Sequence, residues 1–265
     1  YRRFPPIGTR ARMGANQEYK NWVKEQADIA QKMYQLKGTI DLLEKENKKD
    51  YNLHISGNIK GIKQGKLFIQ QLKDTSLVVI DSIIFNGKSS FDSYLTIDSP
   101  EMLYFFLDRG QTNSLDNNLV VFAEPGELSL ETNLETFYAD AVVKGSKNND
   151  LYLNFKKINA RFSNQQLGLI EKEINAQKNS NLVQLDSIQK AKEQLLKRKY
   201  LYAINFALTQ KEYEVSPYIA LSEIYDAQIK YLDTIHHSMS PKVAQSKYGK
   251  LLTEFIEKRK KEEQQ

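Results

Sequence analysis

The sequence predicts an α+β protein: an N-terminal helix, then an antiparallel β-sandwich or barrel of about eight strands, then a helical arm. Three observations predict it. Apolar and polar residues alternate with period two from about residue 51 to 144, the mark of half-buried strands. Glycine turns punctuate that stretch at Lys60-Gly61, Gln64-Gly65, Asn86-Gly87, Arg109-Gly110 and Pro125-Gly126. On both sides the apolar spacing changes to threes and fours, the helical period. The divisions are 1–48, a basic arm and heptad-patterned helix; 49–146, the sandwich; and 147–265, a helical domain with a long αα-hairpin and two to three further helices.

Residues 1–16 hold Arg2, Arg3, Arg10 and Arg12 with no acid, among Pro5, Pro6, Gly8 and Gly14. This is an irregular basic arm, suited to an anionic lipid surface or an acidic protein groove. From about 17 to 46, Tyr19, Trp22, Gln26, Ile29, Met33, Leu36, Ile40 and Leu43 follow heptad spacing, with one polar break at Gln26. Such a narrow seam packs on a helix, either this chain's own C-terminal helices or a helix of a partner. The candidate partner-binding residues are therefore Arg2, Arg3, Arg10, Arg12, Trp22, Ile29, Met33 and Leu36.

Strands are expected at 51–59, 65–72, 76–85, 89–97, 101–107, 118–123, 127–132 and 135–144. The run from His54 to Ile69 is expected as strand, glycine turn, strand, a hairpin. Asn86-Gly87 between Ile84 and Phe91 predicts a second hairpin, since both positions tolerate positive φ. Residues 111–118 are expected as an exposed loop. Ser146 is expected to cap a helix with Asp150 near its positive end. Leu151, Phe155, Ile158, Phe162, Leu169 and Ile174 carry that helix to about Lys178, and Asn179-Ser180-Asn181 breaks and recaps the chain. The next helix bears Leu182, Leu185, Ile188, Leu195, Leu196 and Leu201. The two form a hairpin about 40 Å long. Ser216-Pro217 and Ser240-Pro241 each predict a helix start, serine as cap and proline in the first turn.

Chemistry is nearly absent from the pattern. There is no cysteine, which removes disulfides, thiolate metal sites and a thiol nucleophile. His236 and His237 are adjacent, so on a helix they diverge by about 100° and cannot share a metal. Carboxylate pairs occur at Asp74/Asp81, Asp92/Asp98 and Glu124/Glu127, positions in turns with nothing flanking them to raise a pKa. Gly57, Gly61 and Gly65 lack the Gly-Lys-Ser/Thr ending and the following helix of a phosphate loop. Tyr104-Phe105-Phe106 reads as core rather than as a base-stacking platform. The charge of +5 is uneven: +4 over 1–50 (11 basic, 7 acidic), −5 over 51–150 (8 basic, 13 acidic) and +6 over 151–265 (19 basic, 13 acidic). An acidic block between basic flanks argues against a continuous nucleic-acid surface. No apolar run reaches the roughly 18 residues of a bilayer span. No catalytic, cofactor-binding or metal-binding residue is expected.

The runs His54-Ile-Ser-Gly-Asn-Ile-Lys-Gly61, Gly65-Lys-Leu-Phe-Ile69, Asp81-Ser-Ile83 and Asn86-Gly-Lys-Ser-Ser-Phe91 resemble an envelope domain of Bacteroidetes-type bacteria. That domain, of unknown function, usually precedes a thioredoxin-like domain in thiol–disulfide interchange proteins. Phe122-Ala-Glu-Pro-Gly-Glu-Leu-Ser-Leu130 and Val143-Lys-Gly-Ser-Lys-Asn-Asn149 are similar to its last strands and helix start, and Ser216-Pro-Tyr-Ile-Ala220 and Ser246-Lys-Tyr-Gly249 to its helical linker. The resemblance spans about 51–258 and leaves out 1–48. It implies an envelope lipoprotein, periplasmic or associated with the outer membrane. It withholds the thioredoxin activity, because no Cys-x-x-Cys is present. The chain begins at Tyr1 rather than Met, which leaves open whether a signal peptide or a lipidated cysteine precedes it; a lipid anchor there would tie the chain to a membrane. The expected role is a non-enzymatic accessory subunit whose protein partners bind the N-terminal helix or the helical arm. Two rivals are a redox accessory docking a separate thioredoxin-like protein through 216–258 and a glycan or peptide binder using the loops near 108–118.

Overall fold

The computed structural model describes residues 17–49, 51–110 and 115–263; within the first of these, side chains are described at 21 and 24–40. The chain divides into two compact units, Tyr1–Tyr51 and Asn52–Gln265. The first contains helix α1 (Gln17–Lys49).

The second unit begins with two four-stranded sheets. Strands β1 (Leu53–Lys60), β4 (Ser90–Leu95), β7 (Gly126–Asn133) and β8 (Val142–Lys144) form one, in the order β4-β1-β7-β8. Strands β2 (Gln64–Lys73), β3 (Ser76–Asn86), β5 (Glu101–Asp108) and β6 (Asn118–Ala123) form the other, in the order β3-β2-β5-β6. Among the described residues there are also a 3-10 turn (Leu115–Asn117) and seven α-helices: α1 already given, then α2 (Lys147–Lys178), α3 (Leu182–Thr209), α4 (Val215–Glu223), α5 (Ile229–Ser238), the single turn α6 (Pro241–Ala244) and α7 (Lys247–Glu262).

Alternation along the strands fills the space between the sheets. Ile55 and Ile59 of β1, Leu67 and Ile69 of β2, Leu103, Phe105 and Leu107 of β5 and Leu128 and Leu130 of β7 meet there, all essentially inaccessible. Strand β5 is buried on both faces. Its alternate residues Met102 and Tyr104 turn outward, with Val120 and Phe122 of β6, into a second core built by the helices. The order is thus sheet, sheet, helices, and β5–β6 is the wall shared by both cores. Of Tyr104-Phe105-Phe106, Phe105 faces the other sheet in the core and Tyr104 packs on the helical core, whereas Phe106 is half-buried and stacks on Phe68 with ring centroids 6.3 Å apart.

Several local expectations change. The run from His54 to Ile69 is not a hairpin, because β1 and β2 lie in different sheets. Alternation identified both strands but is silent about partners. Strand β1 pairs antiparallel with β4 and parallel with β7, the one parallel pairing among the described strands. Asn86-Gly87 turns the chain with Gly87 at φ 82°, but it carries the chain from one sheet to the other, and its N–H donates to Lys63 O at 2.8 Å. The paired turn is Asp74-Thr75, joining β2 and β3, with Asp74 at φ 53°. Of the expected strand 135–144 only Val142–Lys144 pairs. Residues 135–140 are a turn, held by Thr136 Oγ1 and Asn133 Nδ2, which donate to Asp140 Oδ2 at 2.5 and 2.8 Å.

The helix caps divide the same way. Ser146 and Asn181 cap α2 and α3, accepting from the N–H groups of Asn149 and Gln184. Ser216 does not cap α4. It lies inside the helix, and its hydroxyl donates to Ala207 O at 2.8 Å, tying α4 to the end of α3. Ser240-Pro241 starts only the one-turn α6; the last long helix is capped by Ser246.

Candidate functional site

The seam of α1 is the first place where the structure leaves apolar side chains unused. Ile29, Met33, Leu36 and Ile40 are 46, 68, 62 and 49% exposed. Their spacing of four, three and four puts them on one stripe. Trp22 lies within α1, but its side chain is outside the described residues, as are Arg2, Arg3, Arg10 and Arg12 altogether. Of the eight residues expected to meet a partner, the structure therefore places three side chains, Ile29, Met33 and Leu36, together and exposed.

A second candidate lies where the sandwich meets the helices. Strand β6 is an edge strand, and the backbone of Phe122 points away from β5. The start of α2 covers it. Ser146 Oγ donates to Phe122 O at 2.6 Å, and the Phe122 N–H donates to Asn149 Oδ1 at 3.0 Å. Glu124 then supplies the negative charge that a helix N-terminus favours. Its Oε1 accepts from the Lys147 N–H at 2.7 Å. Its Oε2 accepts from Asn148 Nδ2 at 2.8 Å. The same Nδ2 donates to Glu214 Oε2 at 2.9 Å, while Asn148 Oδ1 accepts from the Val215 N–H at 2.9 Å. One buried amide thus joins two carboxylates and the start of α4. Glu124, Asn148 and Glu214 line a cleft of about 840 Å³ together with Asp98, Glu212 and Lys242.

Next to it, Glu101 is also buried. Gln71 Nε2 donates to its Oε1 at 2.6 Å, and Lys247 Nζ closes on its Oε2. Behind both lies an aromatic cluster, with Tyr218 ring centroids 5.6 Å from Phe122, 5.0 Å from Tyr248 and 5.8 Å from Tyr152. Burial pushes the Tyr152 phenol up to about 12 and those of Tyr218 and Tyr248 higher still, so all three stay neutral donors or acceptors. The Tyr248 hydroxyl accepts from the Met102 N–H at 3.0 Å.

The carboxylates of the pairs noted in the sequence take separate partners. Glu124 turns to α2, whereas Glu127 turns to His54. Asp81 accepts from Ser93 Oγ at 2.5 Å across the two sheets. His54 sits between acids on neighbouring strands, Nδ1 2.5 Å from Glu127 Oε2 and Nε2 2.8 Å from Asp92 Oδ1, stacked on Tyr94 at 4.4 Å. Both nitrogens can donate only in the doubly protonated ring. Partial burial lowers the His54 pKa, but the two carboxylates outweigh it and the net shift is upward from 6.5. The folded form therefore holds its extra proton more tightly than the unfolded chain. That stabilisation is complete below pH 6.5 and is lost as pH rises through the folded pKa. With both acids largely exposed it is worth about 0.5 kcal/mol. Urea unfolding at pH 5.5 and 8 should show the wild type losing this increment and His54→Gln not; equal losses would remove the carboxylate clamp as its cause.

His236 and His237 go separate ways, His236 Nε2 to Thr253 Oγ1 at 2.9 Å and His237 Nδ1 to Asp233 O at 2.7 Å. Burial, then the neighbouring His237, lowers the His236 pKa. Among the described residues no three His, Asp or Glu side chains are grouped to hold a metal ion, and no helix is long and apolar enough to cross a membrane. The cleft escaped sequence reasoning because its parts come from distant segments: Asn148 and Glu214 are 66 residues apart.

Residues 53–152 match a family described as a domain of unknown function (DUF4369). The match covers both sheets and the first residues of α2, including Glu124, Asn148 and Asn149, and stops before Glu214. No curated protein and no solved structure matches the chain.

Proposed function

We propose that this chain is a non-catalytic accessory subunit that binds a protein partner in a cell-envelope assembly, with the seam of α1 as the contact. The observation that carries the reading is the exposed stripe Ile29, Met33, Leu36 and Ile40 on a 33-residue helix. Isolated helices in water are marginal, and most helical stability comes from covering an apolar face. A heptad stripe is covered best by another amphipathic helix, knobs into holes. The envelope setting draws on the resemblance carried by the sandwich. Segment 216–258 offers less to a separate thioredoxin-like protein, since Ile219, Leu232, Val243, Leu252 and Ile256 are spent on the helical core.

Burying a methionine or leucine contributes about 1.5–3 kcal/mol. Met33→Glu with Leu36→Glu should therefore weaken the complex at least about a hundredfold. The check is crosslinking in intact envelopes: the same crosslinked protein should recur with the wild type and vanish with the double variant, whose sandwich still unfolds normally. A wild-type chain that runs alone, or a double variant that keeps the crosslink, would sink the proposal.

A further inference from the structure

Glu101 and Glu214 are both about 2% exposed, yet they are answered differently. Glu101 has a donor on each oxygen. Glu214 has one on Oε2 only. Its Oε1 is buried and accepts no hydrogen bond. The nearest cation, Lys242 Nζ, is 3.7 Å from it, beyond hydrogen-bond reach, and that lysine is 79% exposed. A buried carboxylate oxygen without a donor is costly to keep, which is why most are satisfied.

The cleft that Glu214 lines carries four carboxylates, Asp98, Glu124, Glu212 and Glu214, against two lysines, Lys147 and Lys242. Its volume lies within the range of small-ligand sites. Glu124 cannot be the primary contact, because α2 and Asn148 already occupy its oxygens. The open position is one oxygen of one carboxylate. A guanidinium fork matches two parallel oxygens, whereas an ammonium is a compact point charge that needs one.

We propose that this cleft binds a primary ammonium group, which donates to Glu214 Oε1 from the side that Lys242 only approaches. Lys242 makes no hydrogen bond there and swings aside at little cost. The ammonium comes from a peptide lysine or from a free diamine. The site lies wholly in the 52–265 unit and does not depend on the partner proposed for α1.

Calorimetric titration of the full chain with cadaverine, Nα-acetyl-lysine methylamide and Nα-acetyl-arginine methylamide tests it. The wild type should bind the amine probes more tightly than the arginine one. Binding of cadaverine alone assigns a free diamine; binding of the lysine amide as well assigns a peptide side chain. Glu214→Gln keeps an acceptor for Asn148 and should weaken binding about tenfold or more. Lys242→Ala removes the internal competitor and should tighten binding several-fold, a result that decides the matter even where Glu214→Gln fails to fold. Heat-silent titrations of both the wild type and Lys242→Ala, equal binding by a folded Glu214→Gln, or preference for the arginine amide would each overturn the assignment.

Discussion

Replacing Gly145 with alanine should cost the 52–265 unit about 3 kcal/mol or more, among the larger effects of a single methyl group. Two independent obstacles meet there. The residue sits at φ +99°, where side chains are strained. A Cβ would also lie 2.0 Å from Glu127 O and 3.2 Å from Leu128 Cα, both backbone atoms of the neighbouring strand β7. Neither can yield by a rotamer change. The displacement passes directly to Ser146, the cap of α2 and the clamp on Phe122. Urea unfolding by circular dichroism measures this; fluorescence would instead report Trp22, in the other unit. Gly168→Ala, in mid-α2 with open space around its Cβ, is the control and should stabilise slightly. Similar midpoints for the two variants would refute the steric account.

Asn148→Ala is expected to cost about 3 kcal/mol by a different route. No volume clash is involved. The substitution removes the donor of the buried Glu214 Oε2 and the acceptor of the Val215 N–H, while the half-buried Glu124 loses one donor and keeps the N–H groups of Lys147 and Asn148. Asn148→Asp should be worse, because it replaces the donor with a third carboxylate. Hydrogen exchange at Val215 gives a local reading, and its protection should fall before the global midpoint is reached. A loss under about 1 kcal/mol would mean that water replaces the amide without penalty.

Legibility followed the range of each interaction. Caps made within three residues were readable: Ser146, Asn181 and the break between α2 and α3 stand where the pattern placed them. Ser216-Pro217 carried the same signal and failed, because Ala207 offers Ser216 a buried carbonyl that no local pattern encodes. Most strands were readable from alternation, since they turn one face to the core. Their partners were not, since alternation looks the same whichever strand lies alongside. The α1 seam is periodic and was found. The Glu214 cleft was not, because Glu124, Asn148 and Glu214 carry no shared spacing and become neighbours only when α4 folds back on α2.

The parallel pairing of β1 with β7 has a consequence for the order in which this chain acquires structure. His54 meets Glu127 across a loop of 73 residues, and β1 has no earlier neighbour except β4, itself beyond two strands of the other sheet. Closing a loop of that length is entropically unfavourable, and the contacts that offset it arrive only with β7. The β2–β3 pair, joined by a tight turn, has no such delay. A chain emerging from the ribosome therefore carries β1 unpaired until β4, the fourth of the eight strands, has emerged, and leaves the other edge of β1 open until β7. The strand that begins the fold is thus secured on its second edge only when the seventh strand arrives.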